Sequence, residues 1–342
     1  MSARKKVTIA GAGNTGGEMA QRLAEKNNMS ARKKVSVVGA GMTGGAIAQR
    51  LVEKGYCDVV LKDESSIVET MHHGKALDSA QSTAWLQAGG SISATDAWDE
   101  TAGSAVVVIT AGIPRKPGMT REDLLNTNAG IMRGAVEGAV KVSPDAVLIV
   151  LANPMDVLCH VALEASKLSR ERVIGQGGML DSSRYRTFIS RELGVSVRDV
   201  HGYVLGGHTD TTMVPIVSNT MVGGMPLASL LPQDKIDALV ERTMKGGAEV
   251  VGLIKIGSAY QAPAVAIEEM VEAVILDQGR LIPCSVLLDG EYGIKNTFCG
   301  TIVKLGDGGV QQVYEVQVSD DEKAKITAAA DATEELVGLI EG

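Results

Sequence analysis

Near-continuous runs of valine, isoleucine and leucine recur in the first half of the chain, at Val35–Val38, Val59–Leu61, Ala105–Thr110 and Ala146–Leu151. Runs this short, apolar at consecutive rather than alternate positions, suit strands covered on both faces. Between them the apolar positions fall at helical spacing, and Thr43–Lys54, a stretch after Gly74, Arg121–Val140 and Met155–Lys167 read as helices. Strand alternating with helix predicts a parallel sheet with crossover helices. Beyond about Asn153 the pattern is mixed. A helix near Ser182–Glu192 precedes strand-like segments around Val200–Leu205 and Val214–Val217. Helical runs follow at Gln233–Leu253 and Pro263–Leu276, then strands around Ile282–Leu288 and Thr301–Val313, then a last helix near Asp321–Ile340. The fold class is α/β, with a parallel-sheet domain over 29–153 followed by a mixed α+β domain over 154–342. No low-complexity linker separates them, so the second domain is expected to pack on the first with the site between.

The chain begins with a repeat. Met1–Asn28 and Met29–Tyr56 align without gaps and are identical at 19 of 28 positions. Each copy reads as a strand, a glycine turn and the start of a helix. A dinucleotide-binding fold needs a second strand ending in an acid about 20 residues beyond the glycines. Counting 24 positions from Gly39 reaches Asp63, whereas the same count from Gly11 reaches Val35 inside the next strand. Copy two is therefore taken as functional. Copy one is expected to be peripheral or inert; the alternatives are an extra unit docked at a sheet edge, or a competitor for the central strand slot.

Composition narrows the function classes. With 342 residues there is room for two medium domains. The net charge of −8, without a long basic run, argues against nucleic acid as the main partner. Four scattered cysteines (Cys57, Cys159, Cys284, Cys299) form no CxxC pair and read as buried free thiols of a reducing compartment. No apolar run approaches the roughly 20 residues needed to cross a bilayer, so no membrane partner is expected. The basic start lacks the continuous apolar core of a signal peptide, and the cytoplasm is the default.

Two groups of residues carry chemistry. Gly39-Ala40-Gly41-Met42-Thr43-Gly44 is a GxGxxG turn between a strand and a helix. Its glycines allow close backbone approach, and free helix N-terminal amides receive a pyrophosphate. Asp63 stands where an acid would hold the ribose, which favours NAD over NADP; Ser66 is a weaker rival for that position. The second group centres on His208, in Gly206-Gly207-His208-Thr209-Asp210, with Asp181 and Arg184 upstream. Arg115 and Arg121 lie in the lid-like stretch Gly112–Arg121. Together they supply a proton donor, a carboxylate to orient it, and three cations for an anionic substrate.

From about Ala31 to Gly342 the chain resembles the lactate/malate dehydrogenase family, a Rossmann-type fold. The stretches that carry the resemblance are ITAGIPRKPGMTREDLLNTNAG, NPMDVL, RVIGQGGMLDSSRYRTFI and GGHTDTTMVP. It implies that His208 is the general acid/base and that Asp181 holds its imidazole. By the same resemblance Arg184 would grip the substrate's C1 carboxylate and Arg121 would polarise the reacting carbonyl. Asn153 would orient substrate and nicotinamide, with Asn128, Leu151 and Ala152 near the cofactor. In the family the position of Arg115 faces the group that distinguishes one 2-oxoacid from another. An arginine there fits the second carboxylate of malate or oxaloacetate and would be left unpaired against pyruvate's methyl group. The implied protein is an NAD-dependent enzyme of the tricarboxylic acid cycle, a homotetramer or homodimer with a small-molecule substrate.

One departure stands out. The family usually reads GGHGD followed by TMVP, whereas here a side chain replaces the glycine after His208 and one residue is added. A reshaped loop would misaim His208, and small misplacements can cost about 100-fold in rate. No metal site is expected: His72 and His73 have no partner at ligand spacing and read as solvent-facing. His160 and His201 read as structural, and Arg186 as facing packing or solvent. The rival readings are a lactate or other 2-hydroxyacid dehydrogenase, and an NAD-binding protein without turnover. An NAD-dependent glycosidase would want a metal-binding Cys/His pair that the sequence lacks.

Overall fold

A computed structural model of the chain describes residues 32–64, 70–114, 118–255 and 257–340. Copy one of the repeat, Ser66, Arg115 and the side chain of Arg121 lie outside the described residues. The apolar runs form β1 (Lys34–Val38), β2 (Asp58–Lys62), β3 (Ile92–Thr95), β4 (Ser104–Ile109), β5 (Val147–Val150) and β6 (Val173–Gly175). All six are parallel, in the order β3-β2-β1-β4-β5-β6. The order reverses between β1 and β4, and ligands of such sheets bind beyond the carboxyl ends of the strands at that point.

Successive side chains on these strands enter different cores, as double-sided burial requires. Val35, Val37, Val106, Val108, Val147 and Ile149 join one cluster, with Ile47 and Leu51 of helix α1 (Met42–Lys54). Val38, Val107, Ile109, Leu148 and Val150 join the other. There they meet Met132 and Val136 of α3 (Arg121–Val142) and Leu158 of α4 (Met155–Ser166), while α2 (Met71–Leu86) connects β2 to β3. Each fully buried Val or Leu side chain contributes about 1.5–3 kcal/mol, so the alternating runs fix the register of the whole sheet.

The second half continues the same sheet. After α5 (Gly178–Leu193) come β7 (Val200–His201), β8 (Val204–Gly206), β9 (Met213–Pro215), β10 (Met221–Val222) and β11 (Met225–Pro226). Helices α6 (Gln233–Met244), α7 (Gly246–Ile254) and α8 (Gln261–Ile275) follow. Then come β12 (Arg280–Asp289), β13 (Lys295–Gly306), β14 (Gly309–Tyr314) and α9 (Asp320–Val337). β12 pairs with β6, β13 with β12, β8 with β13 and β9 with β8, all antiparallel. Two of these joints are single residue pairs, Ser285 with Gly175 and Gly300 with Gly206. A Cβ on Gly175 would lie 2.1 Å from Met155 Sδ, and one on Gly300 would lie 2.6 Å from the Gly206 carbonyl oxygen. The joint between β6 and β12 thus falls where no side chain fits, and the β13–β8 joint within the second half has the same property.

The expected run Gln233–Leu253 is two helices rather than one, parted at Lys245. Gly246 and Gly247 follow the break, and the break lets backbone pack against Arg184. A Cβ on Gly246 would sit 3.0 Å from Arg184 Cδ. The segment expected as one strand at Val200–Leu205 is divided between β7, in a separate small sheet with β10 and β11, and β8 in the main sheet. The four cysteines are buried, and no disulfide joins them.

Candidate active site

The glycine turn closes on itself. Gly39 adopts φ +100° and donates its N–H to the Lys62 carbonyl at 2.8 Å, which ties β1 to the end of β2. A Cβ on Gly44 would lie 1.8 Å from the Gly39 carbonyl oxygen, so only glycine lets α1 start this close to the turn. Gly41 caps α1 without a side-chain hydrogen bond, and no acid occupies the first helical turn. The helix therefore presents amides and the positive end of its dipole, the arrangement that receives a pyrophosphate. Met42 is half-exposed at the mouth of the turn and Thr43 follows it into the helix.

Asp63 stands just past β2 and leans on the turn. Its Oδ2 accepts from the Ala40 N–H at 2.6 Å and its Oδ1 from the Glu64 N–H at 2.7 Å. A lysine that sequence reasoning missed approaches the same turn: Lys75 Nζ donates to the carbonyls of Ala40 and Gly41 at 2.6 and 2.8 Å. Burial pulls its pKa below the ordinary lysine value, against the raising effect of Asp63. Nothing in the spacing of α2 marks it, because its partners are backbone atoms 34 and 35 residues away. These groups fit a dinucleotide with a free 2′-hydroxyl.

Further along the carboxyl edge, buried Asn128 links the ends of β4 and β5. Its side-chain oxygen accepts from the Ile113 N–H at 2.9 Å, and its amide donates to the carbonyls of Ile113 (3.2 Å) and Asn153 (2.8 Å). Leu151, Ala152 and Asn153 follow β5 directly, and the Asn153–Pro154 peptide is cis. Thr120 and Asp123 form a capping box that fixes where α3, and with it Arg121, begins.

Asp181 organises the second group. It lies one turn ahead of Arg184 on α5, is 1% exposed, and divides its carboxylate between two partners. Oδ2 sits 2.7 Å from His208 Nδ1, while Oδ1 accepts from Arg184 Nη1 at 2.8 Å. A second buried acid, Asp156 in NPMDVL, holds the histidine's backbone. Its Oδ2 accepts from the His208 N–H at 2.8 Å and its Oδ1 from Ser285 Oγ at 2.6 Å. Sequence reasoning quoted the motif but gave this acid no role, since Ser285 lies 129 residues away on β12. Burial draws the His208 pKa down, yet the charge and hydrogen bond of Asp181, helped by Asp156 and opposed by Arg184, leave it above the ordinary histidine value. Burial raises the pKa of Asp156.

The lengthened loop after His208 turns back within itself. Thr212 N–H donates to the Thr209 carbonyl at 3.2 Å, Gly207 N–H donates to the Thr212 carbonyl at 3.0 Å, and the Thr209 and Thr212 hydroxyls lie 2.7 Å apart. The β8–β9 register stays regular, with Gly206 opposite Met213. The added residue is absorbed beyond the histidine, and the imidazole keeps its place against Asp181.

The other histidines divide. His160 is half-buried and Nε2 accepts from the Phe298 N–H at 3.1 Å; burial lowers its pKa to about 4. Arg186 binds the carbonyls of Val200 and Val197, a packing role. The solvent-facing expectation fails for His72, which is 2% exposed, and Asp96 supplies the acidic partner that linear spacing did not show. Asp96 is brought in by β3, a half-exposed edge strand too weakly patterned to be read from sequence.

Comparisons with known proteins identify the family. The family model for the NAD-binding domain of lactate/malate dehydrogenases matches residues 33–175, and that for the α/β C-terminal domain matches 178–337. The malate dehydrogenase of Thermomicrobium roseum is 49% identical over 334 residues, 98% of this chain and 97% of that protein. Among solved structures, apo malate dehydrogenase from Picrophilus torridus superposes with a TM-score of 0.86 at 39% identity, covering 90% of this chain and 97% of the other. A lactate dehydrogenase of Cryptosporidium parvum, complexed with lactic acid and nicotinamide adenine dinucleotide, gives the same TM-score at 36% identity, covering 91% and 98%. The chain belongs to the lactate/malate dehydrogenase family.

Proposed function

We propose that the protein is an NAD-dependent oxidoreductase that interconverts malate and oxaloacetate, a step of the tricarboxylic acid cycle. The observation that carries the mechanism is the buried Asp181 carboxylate, bonded at once to His208 and Arg184. Gly39–Gly44, Asp63, Asn128 and Leu151–Asn153 would hold NAD, which would supply the hydride acceptor for malate and, as NADH, the hydride donor for oxaloacetate. His208 takes the hydroxyl proton as malate is oxidised and gives it back as oxaloacetate is reduced. With Nδ1 committed to Asp181, Nε2 is the nitrogen left for that transfer, and the carboxylate stabilises the imidazolium. Arg184, fixed by the same carboxylate, offers its planar guanidinium to the C1 carboxylate. Arg121 polarises the carbonyl, and Asn153 positions it.

The fold does not separate malate from lactate as substrate, because a malate and a lactate dehydrogenase superpose equally well. Arg115 is the residue that separates them, and the malate dehydrogenase relatives favour its reading as a carboxylate ligand. The test is NADH oxidation with oxaloacetate and with pyruvate at equal concentration, for the wild type and Arg115→Gln. Oxidation confined to oxaloacetate in the wild type, with preference moving toward pyruvate in the variant, is expected. Equal preference in both proteins would remove the specificity argument, and NADH binding without oxidation would leave only a binding protein.

Three finer assignments belong to the same proposal. The nucleotide half runs from 29 to 153 and the substrate half from 154 to 342, although β6 extends the parallel sheet to Gly175. The working form is a homotetramer or homodimer in the cytoplasm. Trp85, 93% exposed on α2, and Leu253, 76% exposed on α7, support subunit contacts, and light scattering on the purified protein tests them. No helix among the described residues is long and apolar enough to cross a membrane.

A further inference from the structure

We propose that His72, His73 and Asp96 form a binding site for a first-row divalent metal of the zinc, cobalt or nickel type. The two histidines open α2 and the aspartate follows β3, so two elements converge on one point. His72 Nε2 lies 2.8 Å from Asp96 Oδ1, and His73 Nε2 lies 4.0 Å from Asp96 Oδ2. One ligand atom from each residue can be chosen so that all lie within 4.8 Å of one another. Bond lengths of about 2.0–2.2 Å to imidazole nitrogen and carboxylate oxygen place tetrahedral ligands roughly 3.3 Å apart. The observed separations bracket that value.

An independent observation marks the site as a receptor. His72 is 2% exposed, and its Nε2 is buried without a hydrogen-bond partner among the described residues. The Asp96 oxygen is at ion-pair distance but off the direction a ring N–H would take, so the nitrogen's in-plane lobe remains unspent. A buried polar atom left this way is costly, and a metal bond removes that cost. His73 and Asp96, 48% and 53% exposed, face solvent and leave the remaining coordination positions to water.

The donor set selects the metal. Imidazoles with a single carboxylate suit borderline ions, whereas calcium and magnesium want oxygen ligands in greater number. The start of α2 opposes a cation through its dipole, but that effect is small beside the metal–ligand bonds. The position is also defined within the fold. Lys62 and Thr95 are register partners and the Asp63 N–H donates to the Thr95 carbonyl at 3.3 Å, so Asp96 leaves the sheet beside Asp63. A metal here would sit next to the edge of the nucleotide cleft and outside the His208 cluster.

The test uses the full chain after chelator treatment, titrated with cobalt chloride while visible absorption is followed, and with zinc chloride by calorimetry. One equivalent should bind, with ligand-field bands in the cobalt form. His73→Ala and Asp96→Asn, both at half-exposed positions that the fold tolerates, should each weaken binding at least about tenfold. His201→Ala, at a remote exposed histidine, should leave it unchanged. Metal-free NADH oxidation by the two site variants should match the wild type. The absence of binding, or binding indifferent to both His73→Ala and Asp96→Asn, overturns the proposal.

Discussion

Replacing Asp156 tests how His208 is held. The acid is buried and accepts two hydrogen bonds, from the His208 backbone N–H at 2.8 Å and from Ser285 Oγ at 2.6 Å. Asp156→Ala strands both donors in the interior. Each orphaned donor costs about 1–3 kcal/mol, so the sum is roughly 2–6 kcal/mol, a large share of the 5–15 kcal/mol typical of folded domains. Asp156→Asn behaves differently. Its carbonyl can still accept from His208, and its amide can donate to the Ser285 hydroxyl, which accepts as readily as it donates. The lost charge assistance is offset by no longer burying a carboxylate, whose burial already raises its pKa. The net change should stay within about 1–2 kcal/mol. Urea midpoints read the stability, and kcat/KM for oxaloacetate reads the aim of the imidazole. Asp156→Ala should lower the midpoint and reduce kcat/KM by about 100-fold, the scale of a small misplacement, while Asp156→Asn keeps most of both. If Asp156→Ala unfolds at the wild-type midpoint, the anchoring argument is wrong. If Asp156→Asn falls equally far, charge rather than acceptor geometry governs the site.

Three shorter predictions follow from the same geometry. The raised His208 pKa means that its contribution to stability is full below the unfolded value near 6.5 and is lost as pH rises through the folded value. Oxaloacetate reduction should decline over that same upper window, and Asp181→Asn should move the declining limb to lower pH; an unmoved limb would assign the titration elsewhere. Gly44→Ala puts a Cβ 1.8 Å from the Gly39 carbonyl oxygen, so NADH affinity measured by fluorescence should collapse, with a stability loss of about 1–3 kcal/mol. Deleting Met1–Asn28 should leave thermal midpoint and turnover unchanged, and loss of folding would show that the first copy is built into the sheet.

Much of the framework was legible because the signal is local. The strands at Val35, Val59, Ala105 and Ala146 declare themselves by consecutive β-branched residues, and their ends fall within a residue or two of the expected ones. The glycine turn and Asp63 are readable because their spacing follows from one strand–turn–helix unit, whereas Asp181, Arg184 and His208 are marked by the family resemblance, His208 lying 27 residues from Asp181. What escaped is contact between distant segments. Ser285 meeting Asp156, Lys75 reaching the turn's carbonyls, and Asp96 facing His72 have no periodic trace in the chain. The break at Lys245 was hidden too, because apolar residues recur on both sides of it and read as a single run until Arg184 needs the space beside Gly246. The added residue after His208 looked disruptive in one dimension, but hydrogen bonds among Thr209, Thr212 and Gly207 confine it to its own turn.

The glycine joint between the halves limits how this protein can be re-engineered. β6 reaches β12 through Gly175 and Ser285, and Ser285 also anchors Asp156 beneath the histidine. A chimera cut after residue 175 would therefore inherit its seam from two parents. A strand from the second parent would have to present a small residue opposite Gly175 and a hydroxyl to Asp156. Exchanging the substrate half between relatives is consequently an exchange of β12 and NPMDVL together, and recombination that respects only the apparent domain boundary would deliver a folded sheet with a loosened histidine.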